Sequence, residues 1–199
     1  GVNGPLAYTY GNYVVVDQDG YEVEFSQPEP VPAPGWPAAA AYEFTVVTLN
    51  AYDFFDTVND PVTADAVQSV LNYEIQKSKL AHTIAQAGCP LLVALQEVEN
   101  EQVLQELAAV LMAEHGCAYS TYMEEGLDER GIDVAVLGAR DRVTVESVTQ
   151  YQDCTAYPTG LGQGACPEGL QRLYSRPPLV VTATVQHETL PQVTRRVVL

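Results

Sequence analysis

Apolar and polar residues alternate within the first 27 residues of the chain. Two segments, LAYTYGNYVVV and YEVEF, show this alternation, and the turn signal Asp19-Gly20 separates them. Alternation with a period of two predicts strands, and the turn between them predicts a hairpin. Because an isolated hairpin is at best marginally stable in water, we expect residues 1–27 to be the edge of a preceding β-rich module.

The next stretch interrupts every regular pattern. PEPVPAPGWP, residues 28–37, contains five prolines. Proline is excluded from helix interiors and from central strands. We therefore predict a proline-rich linker over residues 28–42.

From residue 43 to residue 199, strand patterns alternate with helix patterns, which predicts a layered α/β domain. The predicted strands are FTVVTLNAY (44–52), LLVALQEV (91–98), AYSTYME (118–124), IDVAVLGA (132–139), LVVTATVQ (179–186) and TRRVVL (194–199). The last two are expected to form a hairpin across HETLPQV. In open α/β sheets, functional sites commonly lie where strands end.

Two stretches carry the apolar period of amphipathic helices. The first is predicted over roughly residues 64–87 and is closed by Gly88 and Pro90. The second begins after Asn100, a good N-cap residue, and ends at Gly116. A side-chain acceptor at the start and a glycine at the end are the usual signals of helix boundaries.

The composition fits a folded domain and disfavours some partners. Of the 199 residues, 47% are hydrophobic, and no run of about 18 apolar residues occurs, so we expect no membrane insertion. The net charge is -17, and the first basic residue is Lys77. A polyanion would be repelled by the first part of the chain unless metal ions or a local basic patch intervened. Alternatively, the acidic surface serves only solubility.

The four cysteines favour an oxidising compartment. Cys154 and Cys166 bracket the loop CTAYPTGLGQGAC, which is rich in Gly and Pro, and we predict a disulfide that closes it. Cys89 and Cys117 each follow a predicted helix and a glycine, so they either form a second disulfide or remain buried thiols. Neither pair has the spacing of a zinc site.

The apolar strand pattern in LVALQEVEN, residues 92–100, ends in acidic residues. A carboxylate at the tip of a buried strand is rigidly aimed, so Glu97 is a candidate ligand for Mg²⁺ or Ca²⁺. Glu99 has alternate-residue spacing from Glu97 and suits a supporting partner. Alternatively, Glu99 interacts with the positive end of the following helix dipole.

Two further polar features adjoin predicted strands. Asn50 ends the first strand of the domain, where its amide either orients a phosphate oxygen or a water, or only forms a turn. DERGID, residues 128–133, places Arg130 and Asp133 around a glycine before a strand. Arg130 either binds phosphate through paired hydrogen bonds or pairs with an acidic neighbour at the surface.

The remaining motifs disfavour two kinds of chemistry. His82, His115 and His187 show no spacing typical of a metal site or of a base beside a nucleophile. The chain also lacks the G-x-S-x-G, P-loop and H-E-x-x-H patterns. Acyl transfer and zinc-protease chemistry are therefore disfavoured.

Four segments, taken in order and spacing, resemble the N-terminal half of the endonuclease/exonuclease/phosphatase family. They are FTVVTLNAYDFFD, KSKLAHTIAQAGCPLLVALQEVEN, DERGIDVAVL and SRPPLVV. The resemblance covers about residues 44–199. It looks closest to secreted bacterial nucleases, in which a segment similar to GPLAYTYGNYVVV ends a preceding β-rich domain.

This resemblance implies a deoxyribonuclease I-like fold, a four-layer α/β sandwich of which this chain holds part, and divalent-metal-dependent phosphodiester hydrolysis outside the cell. Glu97 matches the family's metal-binding glutamate, with Mg²⁺, or alternatively Ca²⁺ or Mn²⁺, as the implied cofactor. Asn50 matches the strand-end asparagine that helps to arrange the site. Arg130, Asp133 and Arg176 match motif positions near the site.

The chain also departs from the family pattern. The family's base or phosphate-binding histidines, its Asp-x-Asn pair and its terminal Asp-His belong to the second half, and the sequence ends at Leu199 within a predicted strand. We therefore expect residues 43–199 to be an incomplete domain, inactive without further residues.

Three functions remain open from the sequence. The first is an extracellular nuclease that acts on nucleic acid or on another phosphodiester. The second is an inactive extracellular binding or assembly protein that keeps the fold and binds a protein partner, which the acidic charge favours. The third is a phosphatase or phosphodiesterase for small substrates, which needs no large basic groove.

Overall fold

The structure of the protein is a computed structural model. It describes residues 6–9, 12–15, 40, 43–126, 128–151, 153–156 and 166–199. The chain divides into two compact units, Gly1–Pro37 and Ala38–Leu199. Most of the predicted linker, residues 28–42, lies outside the described residues, and the predicted domain boundaries stay predictions.

In the first unit, a short hairpin is described. Strand β1 (Leu6–Thr9) pairs antiparallel with β2 (Asn12–Val15), with Thr9 opposite Asn12. This hairpin lies within LAYTYGNYVVV, whereas the predicted turn was at Asp19-Gly20. The predicted partner segment YEVEF lies outside the described residues.

The second unit contains two helices and nine strands within the described residues. They are β3 (Val46–Phe54), α1 (Val70–Gln86), β4 (Leu92–Val98), α2 (Glu101–His115), β5 (Tyr119–Met123), β6 (Asp133–Ala139), β7 (Val143–Gln150), β8 (Cys154–Thr155), β9 (Gln171–Arg172), β10 (Leu179–Gln186) and β11 (Thr194–Val198). Each of the six strands predicted from the sequence is present, with small shifts at the ends.

A four-stranded sheet in the order β3-β4-β6-β5 forms the centre of this unit. Strands β3 and β4 are parallel and α1 connects them, while β6 runs antiparallel to both β4 and β5. Leu92 and Val93 are neighbours in β4 and both are 0% exposed. Since neighbouring side chains point to opposite faces, both faces are covered, one by the helices and one by a three-stranded sheet, β11-β10-β7.

The two helices and the two sheets form three consecutive layers in the described part of the chain. One hydrophobic core runs through them, with Phe54 and Leu104 from the first two layers and Val181 from the third all fully buried. The hairpin of β10 and β11 is also present. The predicted α/β class is therefore confirmed.

Strand β7 was not predicted because a β-bulge interrupts its alternation. Thr182 lies opposite Ser147 and Ala183 lies opposite Val145, so Glu146 is an extra residue. A bulge inserts one residue and shifts the period of two. Val145 and Val148, three positions apart, therefore both pack against the core.

Helix α1 begins at Val70, later than the predicted start near residue 64. Ser69 is the N-cap, and its side chain accepts a hydrogen bond from the N–H of Asn72 at 3.2 Å. Before it, the N–H of Gln68 donates to the carbonyl of Asp56 at 2.8 Å. Because the backbone before Ser69 bonds to a loop, it is not helical. The apolar pattern of the sequence extends into this segment, so it predicted too early a start for the helix.

Helix α2 begins and ends where the sequence predicts. The Oδ1 of Asn100 accepts a hydrogen bond from the N–H of Val103 at 2.9 Å. Gly116 closes the helix with φ 72°, a left-handed conformation that glycine adopts without steric cost.

A polar network joins the two helices. Lys77 is 6% exposed, and its Nζ lies 2.9 Å from Oε1 of Glu74 and 3.0 Å from Oε2 of Glu106. The hydroxyl of Tyr73 donates to the same Glu106 oxygen at 2.8 Å. Because a buried ammonium group loses its water, these partners replace the lost hydration.

Both cysteine pairs form disulfides. Cys89 joins Cys117 and Cys154 joins Cys166, with Cα separations of 5.7 and 5.8 Å. The predicted bridge is confirmed, and the open choice for Cys89 and Cys117 is resolved as a disulfide.

Neither described helix has the length and apolar character needed to cross a bilayer.

Candidate active site

The parallel strands β3 and β4 both lose their regular pairing near their carboxyl ends. Asn50 lies opposite Gln96, but the next matched pair is Phe54 with Val98. The pairing of β4 with β6 is also interrupted between Gln96 and Val98, which leaves Glu97 as an extra residue. Two adjacent strand ends therefore bulge at the same edge of the sheet.

Left-handed backbone conformations occur at the same edge. Tyr52, Asp53 and Glu97 have φ values of 62°, 54° and 62°. Residues other than glycine rarely adopt this region, and each costs on the order of 1 kcal/mol or more. Bulges and strain of this kind concentrate at functional sites. This edge is therefore the candidate active site.

Hydrogen bonds hold the two bulges together. The N–H of Asp53 donates to Oε2 of Glu97 at 3.1 Å, and the Asn50 side chain also bonds to Glu97. The Oδ1 of Asn50 accepts from the N–H of Tyr52 at 2.7 Å. The amide nitrogen of Asn50 is thereby left to donate to Glu97. Asn50 therefore forms the turn and also orients the Glu97 carboxylate, while its contact with a phosphate oxygen or a water stays a prediction.

The Glu97 carboxyl group is held in its ionised form. Burial acts to raise its pKa, but the hydrogen bonds from Asn50 and Asp53, together with the charge of Arg176, lower the pKa below its ordinary value. The side chain is 18% exposed. An ionised, partly accessible oxygen ligand is what a hard divalent cation requires.

Two arginines stand at this edge. The Nη1 of Arg176 lies 3.6 Å from Oε1 of Glu97, and its Nε lies 3.5 Å from Oδ2 of Asp128. Arg130 forms an ion pair through Nη2 with Oδ1 of Asp53. The Arg130 guanidinium group therefore pairs across the site, while its backbone N–H donates to Oδ1 of Asp128 in its own loop at 3.0 Å. Each guanidinium group is balanced by a carboxylate.

Contacts between two loops carry Arg130 to this position. The N–H of Ala64 donates to the carbonyl of Glu129 at 2.7 Å. Gly131 has φ 67°, and a Cβ at this position would lie 3.0 Å from side-chain atoms of Thr63. Glycine at 131 therefore permits both the turn and the close approach of the loops.

Asp133 lies at the same edge of the sheet, opposite Val98 of β4, where the charge of Arg176 acts on it. It is 3% exposed, and its Oδ2 accepts a hydrogen bond from the N–H of Gly126 at 2.7 Å. Burial raises the pKa of Asp133, although the Gly126 N–H acts against this. The described contact secures the loop before β6. The catalytic role of Asp133 stays a prediction, and the structure brings it to the same edge of the sheet as Asn50, Glu97, Arg130 and Arg176.

Glu99 supports the turn after β3, and its expected interaction with the helix dipole stays a prediction. Its Oε2 accepts a hydrogen bond from the N–H of Asp56 at 2.5 Å, and its own N–H donates to the carbonyl of Phe54. Glu99 is 8% exposed. Burial raises its pKa to about 7, and the Asp56 N–H acts the other way.

The donor set suits a hard divalent cation that keeps much of its water. Within the described residues, no group of three or more His, Cys, Asp or Glu side chains is arranged to hold a metal. Mg²⁺ commonly binds through one or two carboxylates and retains several waters. The ionised oxygens of Glu97 fit that mode of binding, so the residues present are compatible with the implied cofactor.

Gln76 on α1 supports the β3 bulge. Its Nε2 donates to the carbonyl of Ala51 at 2.9 Å and to the carbonyl of Tyr52 at 2.8 Å. Both carbonyls lie in the segment where β3 loses its regular pairing with β4. The side-chain amide therefore satisfies acceptors that the sheet leaves free.

Replacing Gln76 with alanine should destabilise the protein by about 1–2 kcal/mol, because two carbonyls lose their donor. Urea denaturation measures this change. Gln105→Ala is the matched control, since Gln105 is an exposed glutamine of α2 whose Nε2 bonds to the exposed Glu101. The control should cost less than about 0.5 kcal/mol. Equal costs for both variants would contradict the supporting role of Gln76.

Asp53, Asp128 and Gln76 were not predicted as site residues. Asp53 lies in the segment FTVVTLNAYDFFD and Asp128 opens the segment DERGIDVAVL, so both lie within segments that carry the family resemblance. Gln76 is different. It is a partly exposed residue of a helix, and no local pattern distinguishes it from the other glutamines of the two helices.

A family model described as Endonuclease/Exonuclease/phosphatase family matches residues 45–161, which is more than half of the chain. The chain therefore belongs to the endonuclease/exonuclease/phosphatase family, as the resemblance predicted. No curated protein matches the sequence significantly.

Two solved structures are similar to the chain at low identity. One is an endonuclease/exonuclease/phosphatase from Bacteroides vulgatus, with 14% identity, 77% of this chain and 49% of that chain covered, and a TM-score of 0.42. The other is a functionally unknown conserved protein from Enterococcus faecalis V583, with 15% identity, 69% and 48% covered, and a TM-score of 0.36. The chain spans about half the length of these two proteins.

Proposed function

We propose that the protein hydrolyses phosphodiester bonds with the help of a divalent cation. The observation that carries this proposal is the ionised Glu97 on a strained bulge, with the Arg176 guanidinium 3.6 Å away. The family to which the chain belongs supports a hydrolase of the nuclease or phosphodiesterase type.

The residues at the site divide into two roles under this proposal. Glu97 holds the cation, and Asn50 keeps the carboxylate oriented through its hydrogen bond. Arg130 and Arg176 bind the phosphoryl oxygens, for which the planar guanidinium group is well suited. Each arginine exchanges a contact with a carboxylate, Asp53 or Asp128, for one with the substrate.

A bound Mg²⁺ supplies charge that stabilises the phosphoryl oxygens in the transition state. The chain's own residues supply the geometry. Because Asp53 N–H and Asn50 fix Glu97 before the substrate arrives, little reorganisation is needed when the phosphodiester binds. The strained backbone at Tyr52, Asp53 and Glu97 is consistent with such preorganisation.

We further propose that the protein acts outside the cell on nucleic acid. Two disulfides support an oxidising compartment. The net charge of -17 opposes binding of a polyanion, but Arg130 and Arg176 place two cationic groups at the site. The same acidic charge favours the second candidate, an inactive extracellular protein that uses the fold to bind a partner.

The test is hydrolysis by the full-length protein. We expect plasmid DNA to be nicked in Mg²⁺, and we expect EDTA to abolish the activity because the cation is removed. Bis(4-nitrophenyl) phosphate provides a small phosphodiester for comparison. Activity that persists in EDTA would contradict the metal requirement. Turnover of the small ester alone would favour a small-substrate phosphodiesterase, and inertness toward both would favour the binding protein.

A further inference from the structure

A groove of about 570 Å³ lies between the carboxyl end of β3 and the exposed side of α1. The strand contributes Asn50, Tyr52 and Asp53 to its lining, and the helix contributes Asn72, Gln76 and Lys79. Asn50 bonds to Glu97, so the groove opens directly beside the candidate active site. Its volume lies in the usual range for ligand sites.

Tyr52 presents an aromatic ring to solvent from a rigid support. It is 82% exposed, although its backbone has the strained φ of 62°. Its N–H donates to Asn50 Oδ1 at 2.7 Å, and its carbonyl accepts from Gln76 Nε2 at 2.8 Å. The backbone of Tyr52 is fixed in this way at the edge of a groove, and its exposed ring stabilises no part of the core. It is suited to a planar ligand.

Lys79 supplies the positive charge in the groove. It is an exposed residue of α1, whereas Lys77 on the same helix is buried and paired with Glu74 and Glu106. The whole chain has nine Lys and Arg residues against 26 Asp and Glu. A cation and an exposed aromatic ring that line the same groove, in a protein this acidic, favour an anionic ligand that also carries a flat ring.

We propose that this groove binds single-stranded nucleic acid next to the scissile phosphodiester. An unpaired base stacks on the Tyr52 ring, and the phosphate of that nucleotide lies at Lys79. The inference rests on the proposed function, because the scissile bond is the one held at Glu97, Arg130 and Arg176. A base must be unpaired to expose its face, so single strands should bind better than duplex DNA.

The experiment measures binding in EDTA, where hydrolysis is suppressed. The probe is a fluorescein-labelled oligomer of twelve thymidines, compared by fluorescence anisotropy with an oligomer of twelve abasic sites. We expect the thymidine oligomer to bind the protein about tenfold more tightly, or better, because base stacking on an aromatic side chain has that magnitude. Tyr52→Ala should remove this preference, while Tyr52→Phe should retain it.

Matched variants show whether a loss of affinity comes from lost stacking or from another effect of the substitution. Leu71→Ala removes an apolar side chain of α1 that is 68% exposed and lies outside the groove, so it should leave the preference intact. Lys79→Gln should reduce the slope of log affinity against log salt concentration by about 0.7. Arg140→Gln removes an exposed charge just after β6, at the opposite end of the sheet, and should leave the slope unchanged.

The outcomes distinguish this inference from the proposed function. Equal affinity for the two oligomers, or no measurable binding of either, overturns the groove assignment. A preference that survives Tyr52→Ala overturns it as well. Hydrolysis in Mg²⁺ is scored separately. Failure there, with base-dependent binding retained, contradicts the proposed function and leaves the groove assignment standing.

Discussion

Replacing Glu97 with glutamine should lower phosphodiester hydrolysis by the full-length protein on the order of a thousandfold. A change of that size corresponds to ~4 kcal/mol of transition-state stabilisation. Glutamine has almost the same shape as glutamate and keeps an oxygen that accepts the Asp53 N–H. The substitution therefore removes the negative charge while the bulge of β4 stays supported, and the cation loses its proposed protein ligand.

Two measurements separate loss of the cation from loss of the fold. Calorimetric titration with Mg²⁺ should show weaker binding by the Glu97→Gln variant than by the parent protein. Thermal unfolding without metal should change little, because the Asp53 N–H keeps an acceptor oxygen in the bulge. Glu101→Gln is the matched control, since Glu101 is an exposed carboxylate in the first turn of α2. Full activity in the Glu97→Gln variant would refute the role assigned to Glu97.

The strands and helices of the second unit were predictable because their apolar periods are long and regular. The exceptions have local physical causes. In β7, the extra residue Glu146 shifts the alternation, so the sequence does not read as one strand. In α1, the apolar period runs ahead of the N-cap Ser69, and hydrogen bonds between loops decide where the helix begins.

The candidate site was only partly predictable. Asn50 and Glu97 stand at strand ends, and both the strand pattern and the family motif predict site residues at these positions. Their partners come from distant parts of the chain. Arg130 and Asp53 form an ion pair although they are 77 positions apart in the sequence. No local sequence pattern predicts a contact between residues so far apart. The backbone strain at Glu97 also cannot be predicted from residue type, since glutamate rarely adopts a positive φ.

The arrangement of charges explains how a very acidic chain could still bind an anion. Arg130 and Arg176 lie at the candidate site, and Lys79 lines the groove beside it. Negative charge elsewhere favours solubility and repels polyanions. A ligand that reaches this edge must therefore gain its affinity from local contacts. This is why stacking on Tyr52 and the bound cation are central to the two functional tests.

A second large effect is expected at the interface of the helices. Glu106→Ala should destabilise the protein by about 2 kcal/mol, because the buried Lys77 and the Tyr73 hydroxyl both lose an acceptor. We place the value below that of a fully buried pair because the Glu106 side chain is 38% exposed. Glu74→Ala is the matched control on the same lysine. Glu74 is 55% exposed, so its loss should cost less than about 1 kcal/mol.

The pH dependence gives this prediction a second test. Burial acts to raise the pKa of Glu106, but hydrogen bonds from Tyr73, Lys77 and Gln102 outweigh it and lower the pKa below the ordinary value. A group with a lowered folded pKa stabilises the protein fully above its unfolded pKa, about 4.3 for glutamate. That contribution is lost as the pH falls through the folded pKa. Urea denaturation should therefore show the full difference between parent and Glu106→Ala at pH 7, and a smaller one near pH 3. A difference that does not change with pH would mean that the ionised carboxylate is not what stabilises the helix pair.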